Sequence, residues 1–280
     1  MRKIPKPTFS ITDVYDDCIS KVSKATTKAE LQTIKPLIVL SSINFDVAAN
    51  NNTLHLFPTS TDVGGIPTKE MKKIYTYRMV HKDQGGRKYY DAILASAPAG
   101  KCPLCCIRDA STLDHHLPKK GYPDLVITPF NLVPACIFCN DIKDTLSPST
   151  AEEETLHPYY DDIENEEWLY ASVIQTQPLV IHYFVAKPDS WTQLLEDRAS
   201  YHISKLGIDK LYSSHAVEEL HNIRYRLVEL FRTTGKDGVR AHLYESFESR
   251  YVNNINSWQT ALYRALYQDD WFCDGGLTNI

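Results

Sequence analysis

The sequence predicts an α+β chain organised around a small cysteine-bounded module, with a mixed region before it and a mainly helical region after it. Three observations carry this. Two Cys-x-x-Cys pairs, Cys102/Cys105 and Cys136/Cys139, bracket one short segment. Runs rich in β-branched and aromatic residues at 168–174 and 179–185 read as a strand pair. Beyond them, Val217, Leu220, Ile223, Leu227, Leu230 and Phe231 recur mostly at spacings of three and four, the signature of one helix face. The expected division is therefore 1–98, mixed α/β; 99–150, the cysteine module; and 151–280, a strand pair followed by helices. With 43% hydrophobic and 23% charged residues over 280 positions, the chain can bury a core unaided. The paired cysteines thus need an explanation of their own.

Taken in order, the N-terminus is basic from Arg2 to Lys6 but runs into Asp13, Asp16 and Asp17 with no apolar stretch, which argues against a signal peptide. A helical stretch is expected near Lys28–Thr33, then apolar strands at Leu37–Leu40 and Thr53–Phe57, and a turn at Gly64-Gly65. Pro67 suits the first position of a helix over Lys69–Met79, and a second helix covers Lys88–Ala95 before a loop at Ala97–Gly100. After Pro148 come the two strands, turning at Gln175–Pro178. Ser213 and Ser214 can cap the long helix, Gly235 is placed to end it, and a further helix runs from Arg240 through Trp258 to Tyr267. Apolar runs such as Leu37–Leu40 are far too short to span a bilayer, so the expectation is a cytoplasmic protein with no membrane partner.

Seven cysteines, four of them in paired spacing, read as metal binding in a reducing compartment and not as a disulfide framework. Two Cys-x-x-Cys turns offer four thiolates, a closed tetrahedral set for a structural zinc ion. Cys106 adjoins Cys105 and could replace it at a less regular spacing; Cys18 and Cys273 read as ordinary thiols.

Thirty basic against thirty-five acidic residues give a net charge of −5, which does not advertise a polyanion partner. The charge is uneven, however. Lys69, Lys72, Lys73, Arg78, Lys82, Arg87 and Lys88 precede the cysteines, and this flank suits either phosphate contact or a solvated surface. Arg78, Arg87 and Lys101 carry the same two readings. The seventeen tyrosines could stack bases but more often fill cores. No Walker loop or dinucleotide fingerprint is present.

Between and beside the cysteines stand Asp114-His115-His116-Leu-Pro118, Asn131-Leu and Asn140-x-x-Lys143. Together with the two cysteine pairs they resemble the HNH, or ββα-metal, endonucleases in their zinc-stapled form, over roughly residues 100 to 148. The resemblance implies a β-hairpin carrying Asp114 as metal ligand and His115 as general base, Asn131 bracing the hairpin through backbone hydrogen bonds, and Asn140 on the following helix as second metal ligand. The His-His doublet also allows a register one step later, with His115 as ligand and His116 as base. Chemistry favours the first: a carboxylate and an amide oxygen make a hard, half-open site for Mg²⁺ or Mn²⁺, and an imidazole titrating near neutrality can take a proton from water.

One difficulty is geometric: neighbours on a regular strand face opposite ways, so the strand must end or bulge at Asp114-His115. Lys143 and Asp144 share a helix face with Asn140, and Lys143 is a candidate phosphate contact, with His116 as another. His157, in His157-Pro-Tyr-Tyr-Asp161, either turns the chain or folds back over the site. The resemblance implies a nucleic-acid substrate, DNA before RNA, with a role in restriction or anti-phage defence beside an ATPase or sensor subunit. A zinc-stapled binding module without catalysis is the alternative.

Overall fold

The computed structural model describes residues 1–144 and 146–279, with the side chain of Asn279 left aside. It divides into two compact units, Met1–Ile163 and Glu164–Ile280. The expected boundary near residue 98 is not one of them, because the cysteine module shares a core with the helices before it.

In the first unit, α1 (Ile11–Ser20) starts at Ser10, whose hydroxyl accepts from the Thr12 N–H, and is followed by the long α2 (Ala25–Asn50). Here the structure departs from expectation: Leu37–Leu40 lies inside α2 and is not a strand. Leu31, Ile34, Ile38, Ser42, Phe45 and Ala49 are buried at helical spacing, so one face of a 26-residue helix wins over the β-propensity of a four-residue run. Pro36 sits within the helix. The expected strand at 53–57 is instead a single 3₁₀ turn, Leu54–Leu56, where the Glu154 carboxylate accepts from the His55 N–H at 2.9 Å. Gly64 and Gly65, both with positive φ, turn the two-residue strands β1 (Asp62–Val63) and β2 (Ile66–Pro67). Then α3 (Thr68–Lys73) runs into a wider π-helical stretch, Ile74–Met79, and α4 (Arg87–Ala95) follows.

The module consists of β3 (Thr112–His115), β4 (Leu132–Ala135) and α5 (Ile137–Lys143). The strands are antiparallel, with Asp114 opposite Val133 and His115 opposite Leu132, and α5 packs on β3. Leu113, Val126, Ile127 and Leu132 from this module pack in one cluster with Val14, Tyr15, Met71, Ile74 and Ile93 from the helices. Cys18 belongs to that cluster, as an ordinary buried thiol.

The second unit holds the expected hairpin, β5 (Leu169–Ile174) paired with β6 (Val180–Val185), and then α6 (Gln193–Lys205). Helix α7 (Ile208–Asn253) begins after Gly207, not at Ser213, whose hydroxyl instead donates to the Ile181 carbonyl. Gly235 interrupts α7 with φ 66° and ψ −162°, a conformation that residues with a Cβ avoid, but helix resumes beyond it. The expected helix from 240 to 267 is broken: Asn254–Ser257 separates α7 from α8 (Trp258–Gln268), and the Ser257 hydroxyl caps α8 by accepting from the Thr260 N–H. A short α9 (Asp270–Cys273) follows. Among the described residues no helix is long and apolar enough to cross a membrane.

Candidate metal centre and its neighbouring acid and imidazole

Cys102 and Cys105 lie in a tight turn ahead of β3. The Cys106 N–H donates to the Cys102 carbonyl at 2.8 Å, and Cys106 itself takes φ 61°, which turns its own thiol away toward the Pro103 carbonyl. The ambiguity between Cys105 and Cys106 therefore resolves in favour of Cys105. Cys136 is the N-cap of α5, and its sulfur accepts from the Cys139 N–H at 3.4 Å, an orientation that stabilises a thiolate.

The four sulfurs of Cys102, Cys105, Cys136 and Cys139 are buried and lie within 4.8 Å of one another, with Cys105 and Cys136 at 4.0 Å. A tetrahedron of sulfurs about 2.3 Å from one zinc has edges of about 3.8 Å. The cluster could hold a zinc ion with little movement. A disulfide would need a sulfur separation of about 2.05 Å, so these four cysteines are free thiols. Sharing of hydrogen bonds, first with Cys102, draws the Cys136 thiol below its ordinary value.

Asp114 and His115 are the last two residues of β3 and both keep its regular pairing, opposite Val133 and Leu132, so their side chains leave the strand on opposite faces; the strand breaks only after His115, not at the Asp114-His115 step as expected. Asn131 secures the chain there: its side-chain oxygen accepts from the Leu117 N–H at 2.7 Å, and its amide donates to the carbonyls of Leu117 at 3.1 Å and Leu125 at 3.3 Å. The His116 N–H donates to the Asn131 carbonyl at 2.8 Å.

Asp114 and His115 are almost wholly buried, at 1% and 4% exposure. The His115 Nε2 lies 2.9 Å from the Val126 carbonyl, so this nitrogen carries the hydrogen; Nδ1 is then a lone-pair acceptor, and nothing hydrogen-bonds to it. Burial, then Lys119, and after the opposing Val126 carbonyl also Lys72, hold the imidazole well below its ordinary pKa. It is neutral at physiological pH. The Asp114 Oδ2 likewise has no hydrogen-bond donor and lies 3.9 Å from the Lys143 ammonium. Burial pushes the Asp114 carboxyl up to about 6, against the pull of Lys143 and then Lys119.

The structure sends the other candidates elsewhere. The His116 ring stacks on His157 at 4.1 Å, so it lies in packed side chains and not on a phosphate-facing surface. Lys143, expected as a phosphate contact, is 2% exposed; it donates to the Thr155 hydroxyl at 3.1 Å and lies 3.5 Å from the His116 carbonyl. Asn140 is half-buried on α5, three residues before Lys143 and hence on the same helix face.

The Glu154–Asp161 segment does fold back. The His157 Nε2 donates to the Phe130 carbonyl at 3.1 Å, and the Tyr159 hydroxyl donates to the Leu132 carbonyl at 2.8 Å, which ties this segment to β4. Sequence reasoning passed over Tyr75, whose ring stands edge-on to His115 with centres 4.4 Å apart, and Thr155. Nothing local marks either, since both reach the site through the fold.

No family model matches this sequence, and no solved structure matches it. The chain is similar to the protein named ea31 of Escherichia phage lambda, 26% identical over 296 residues that cover 98% of this chain and 100% of that protein.

Proposed function

We propose that the chain is a metal-dependent nuclease of the HNH type, cleaving phosphodiester bonds, with DNA as the first substrate to test. One observation carries the reading: two consecutive buried residues, Asp114 and His115, each present a polar atom without a hydrogen-bond partner. Leaving buried polar groups unmade costs about 1–3 kcal/mol each, a cost that a water, cation or substrate in the site would offset.

His115 has the features of a general base. Its tautomer is held by Val126, its ring is braced by Tyr75, and its lone pair at Nδ1 is available to take the proton of an attacking water. Asn131 keeps the strand end in place. Asp114 and Asn140 would hold Mg²⁺ or Mn²⁺, which would supply positive charge against the anionic phosphate. The four cysteines would hold zinc as a staple with no open position. A role in restriction or anti-phage defence, beside an ATPase or sensor subunit, completes the proposal.

A second reading, a zinc-stapled binding module without catalysis, draws on the same burial, which leaves little of Asp114 or His115 open to solvent. The test is direct: purified chain and its His115→Ala variant are incubated with supercoiled plasmid, single-stranded DNA and RNA, each with magnesium, manganese or neither. The expected result is cleavage that falls by about 10²–10⁴ in the variant while its zinc content and melting temperature hold. No cleavage of any substrate by the native chain would leave the binding module as the better account.

A further inference from the structure

The basic flank before the cysteines sorts itself once partners are counted. Lys73 pairs with Glu70 at 2.8 Å, Arg87 with Asp91 at 2.9 Å, and Lys88 with Asp17 at 2.8 Å. Arg78 donates to the Lys21 carbonyl at 3.3 Å and to Gln84 at 3.4 Å. Lys69 and Lys82 are exposed. Lys72 is different: it is half-buried and makes no hydrogen bond or ion pair among the described residues. Lys119, four residues past His115, is in the same state.

Lys119 reaches the candidate site directly, and helix spacing places Lys72 toward it. The Lys119 ammonium lies 5.1 Å from the centre of the Tyr75 ring, the same ring that stands against His115. Lys72 precedes Tyr75 by three residues on one continuous helical stretch, so the two share a face. Lys119 also feels Asp144 and Asp114, which favour its charge, and Lys72, which opposes it; burial opposes it most. Two cations brought together beside a neutral imidazole repel each other, and burial of one adds to the cost. An anion between them would offset both. Lys143 does not compete for that place, being held by Thr155 and Asp114.

We propose that Lys72 and Lys119 form a clamp for a backbone phosphate of nucleic acid, placing it beside His115 and Asp114. The identification of the anion as a phosphodiester rests on the nuclease reading; the pairing of the lysines does not. Two point-charge donors suit the two nonbridging oxygens of a diester, and they arrive from different parts of the chain, α3 and the loop after β3. The clamp draws a residue of the N-terminal region into the site, as the core shared between that region and the module permits.

Salt dependence of binding tests this. A fluorescent DNA duplex is titrated with the His115→Ala chain, with and without Lys72→Met, Lys119→Met or both. Each lysine change should weaken binding several-fold at low salt. The double change should also make the slope of log K against log[salt] shallower by about 0.9, the value for one phosphate, and each single change should account for part of it. Lys119→Arg should restore the slope, and Lys88→Met, whose lysine is already paired, should leave it unchanged.

Zinc content and far-UV dichroism establish that each variant is folded, and glutamine replaces methionine wherever the first substitution fails to fold. An unchanged slope, or no binding by the parent at all, overturns the clamp. Plasmid cleavage by the chain with His115 intact separates the two ideas. Cleavage with an unchanged slope removes the clamp and keeps the nuclease; a lysine-dependent slope in a chain that never cleaves keeps the clamp and removes the nuclease.

Discussion

The four-cysteine cluster and the Asp114–His115 pair are assembled on the same short segment, yet they solve the problem of buried polar atoms in opposite ways. In the first, four sulfurs converge within 4.8 Å of one another, and the turn and the α5 N-terminus orient backbone N–H groups around them. Such a set is complete with one ion. In the second, Asn131, Val126 and Tyr75 hold their neighbours firmly, while the Asp114 Oδ2 and His115 Nδ1 make no hydrogen bond, the Lys143 ammonium standing 3.9 Å from the former. Such a set is incomplete, and it persists because the surrounding hydrogen bonds and packing over-determine its geometry. The lesson is that satisfaction of buried groups, more than burial itself, separates a staple from a site of chemistry.

The comparison breaks most visibly at the sulfurs. Cys136→Ser should lose bound zinc and, with it, cooperative folding of the first unit, since apparent zinc binding in small structural sites is about 10–16 kcal/mol. Elemental analysis and a thermal melt check this. A variant with full zinc and a native melt would show that the cluster is not a metal site.

A smaller effect is expected at Asp114, and its sign is specific. The folded carboxyl titrates at about 6, above the 3.8 of a free one, so the native state binds more protons than the unfolded state between those values. Stability should therefore fall as pH rises from about 4 to about 6 and stay low above it, by about 3 kcal/mol for a shift of this size. Asp114→Asn should flatten that fall and melt higher than the native chain near pH 7.5, with no magnesium or manganese added. Superimposable pH profiles for the two proteins would mean that the carboxylate is already compensated, and the contrast with the sulfurs would lose its basis.

The mildest change sharpens the sulfur side alone. Cys106 stands next to the four-cysteine cluster but turns its thiol toward the Pro103 carbonyl, so Cys106→Ser should keep full zinc and stay within about 0.5 kcal/mol of native stability. Loss of zinc in this variant would move the ligand set by one residue.

The outline of both regions is legible in the residues. Cys-x-x-Cys spacing specifies which sulfurs can reach one ion, because the turn is local, and the strand pair at 168–185 shows itself through β-branched and aromatic runs. The misreadings have a common origin. Leu37–Leu40 looks like a strand until the burial of Leu31, Ile34, Ile38 and Phe45 shows which face the core demands. Lys143 looks like a phosphate contact until Thr155, from a segment returning over the module, covers it. His157 could turn the chain or return to the site, and only the fold decided that it returns.

What the sequence determined by itself were the features fixed by short-range geometry: the paired cysteines, the Asp114-His115 step before a strand end, the helix periodicity of the C-terminal region. What only tertiary structure decided was which polar groups keep a partner. Tyr75 and Lys119 meet beside His115 because the helical stretch after α3 and the loop after β3 pack on one core, and the packing of elements distant in sequence leaves no local pattern by which it could be read.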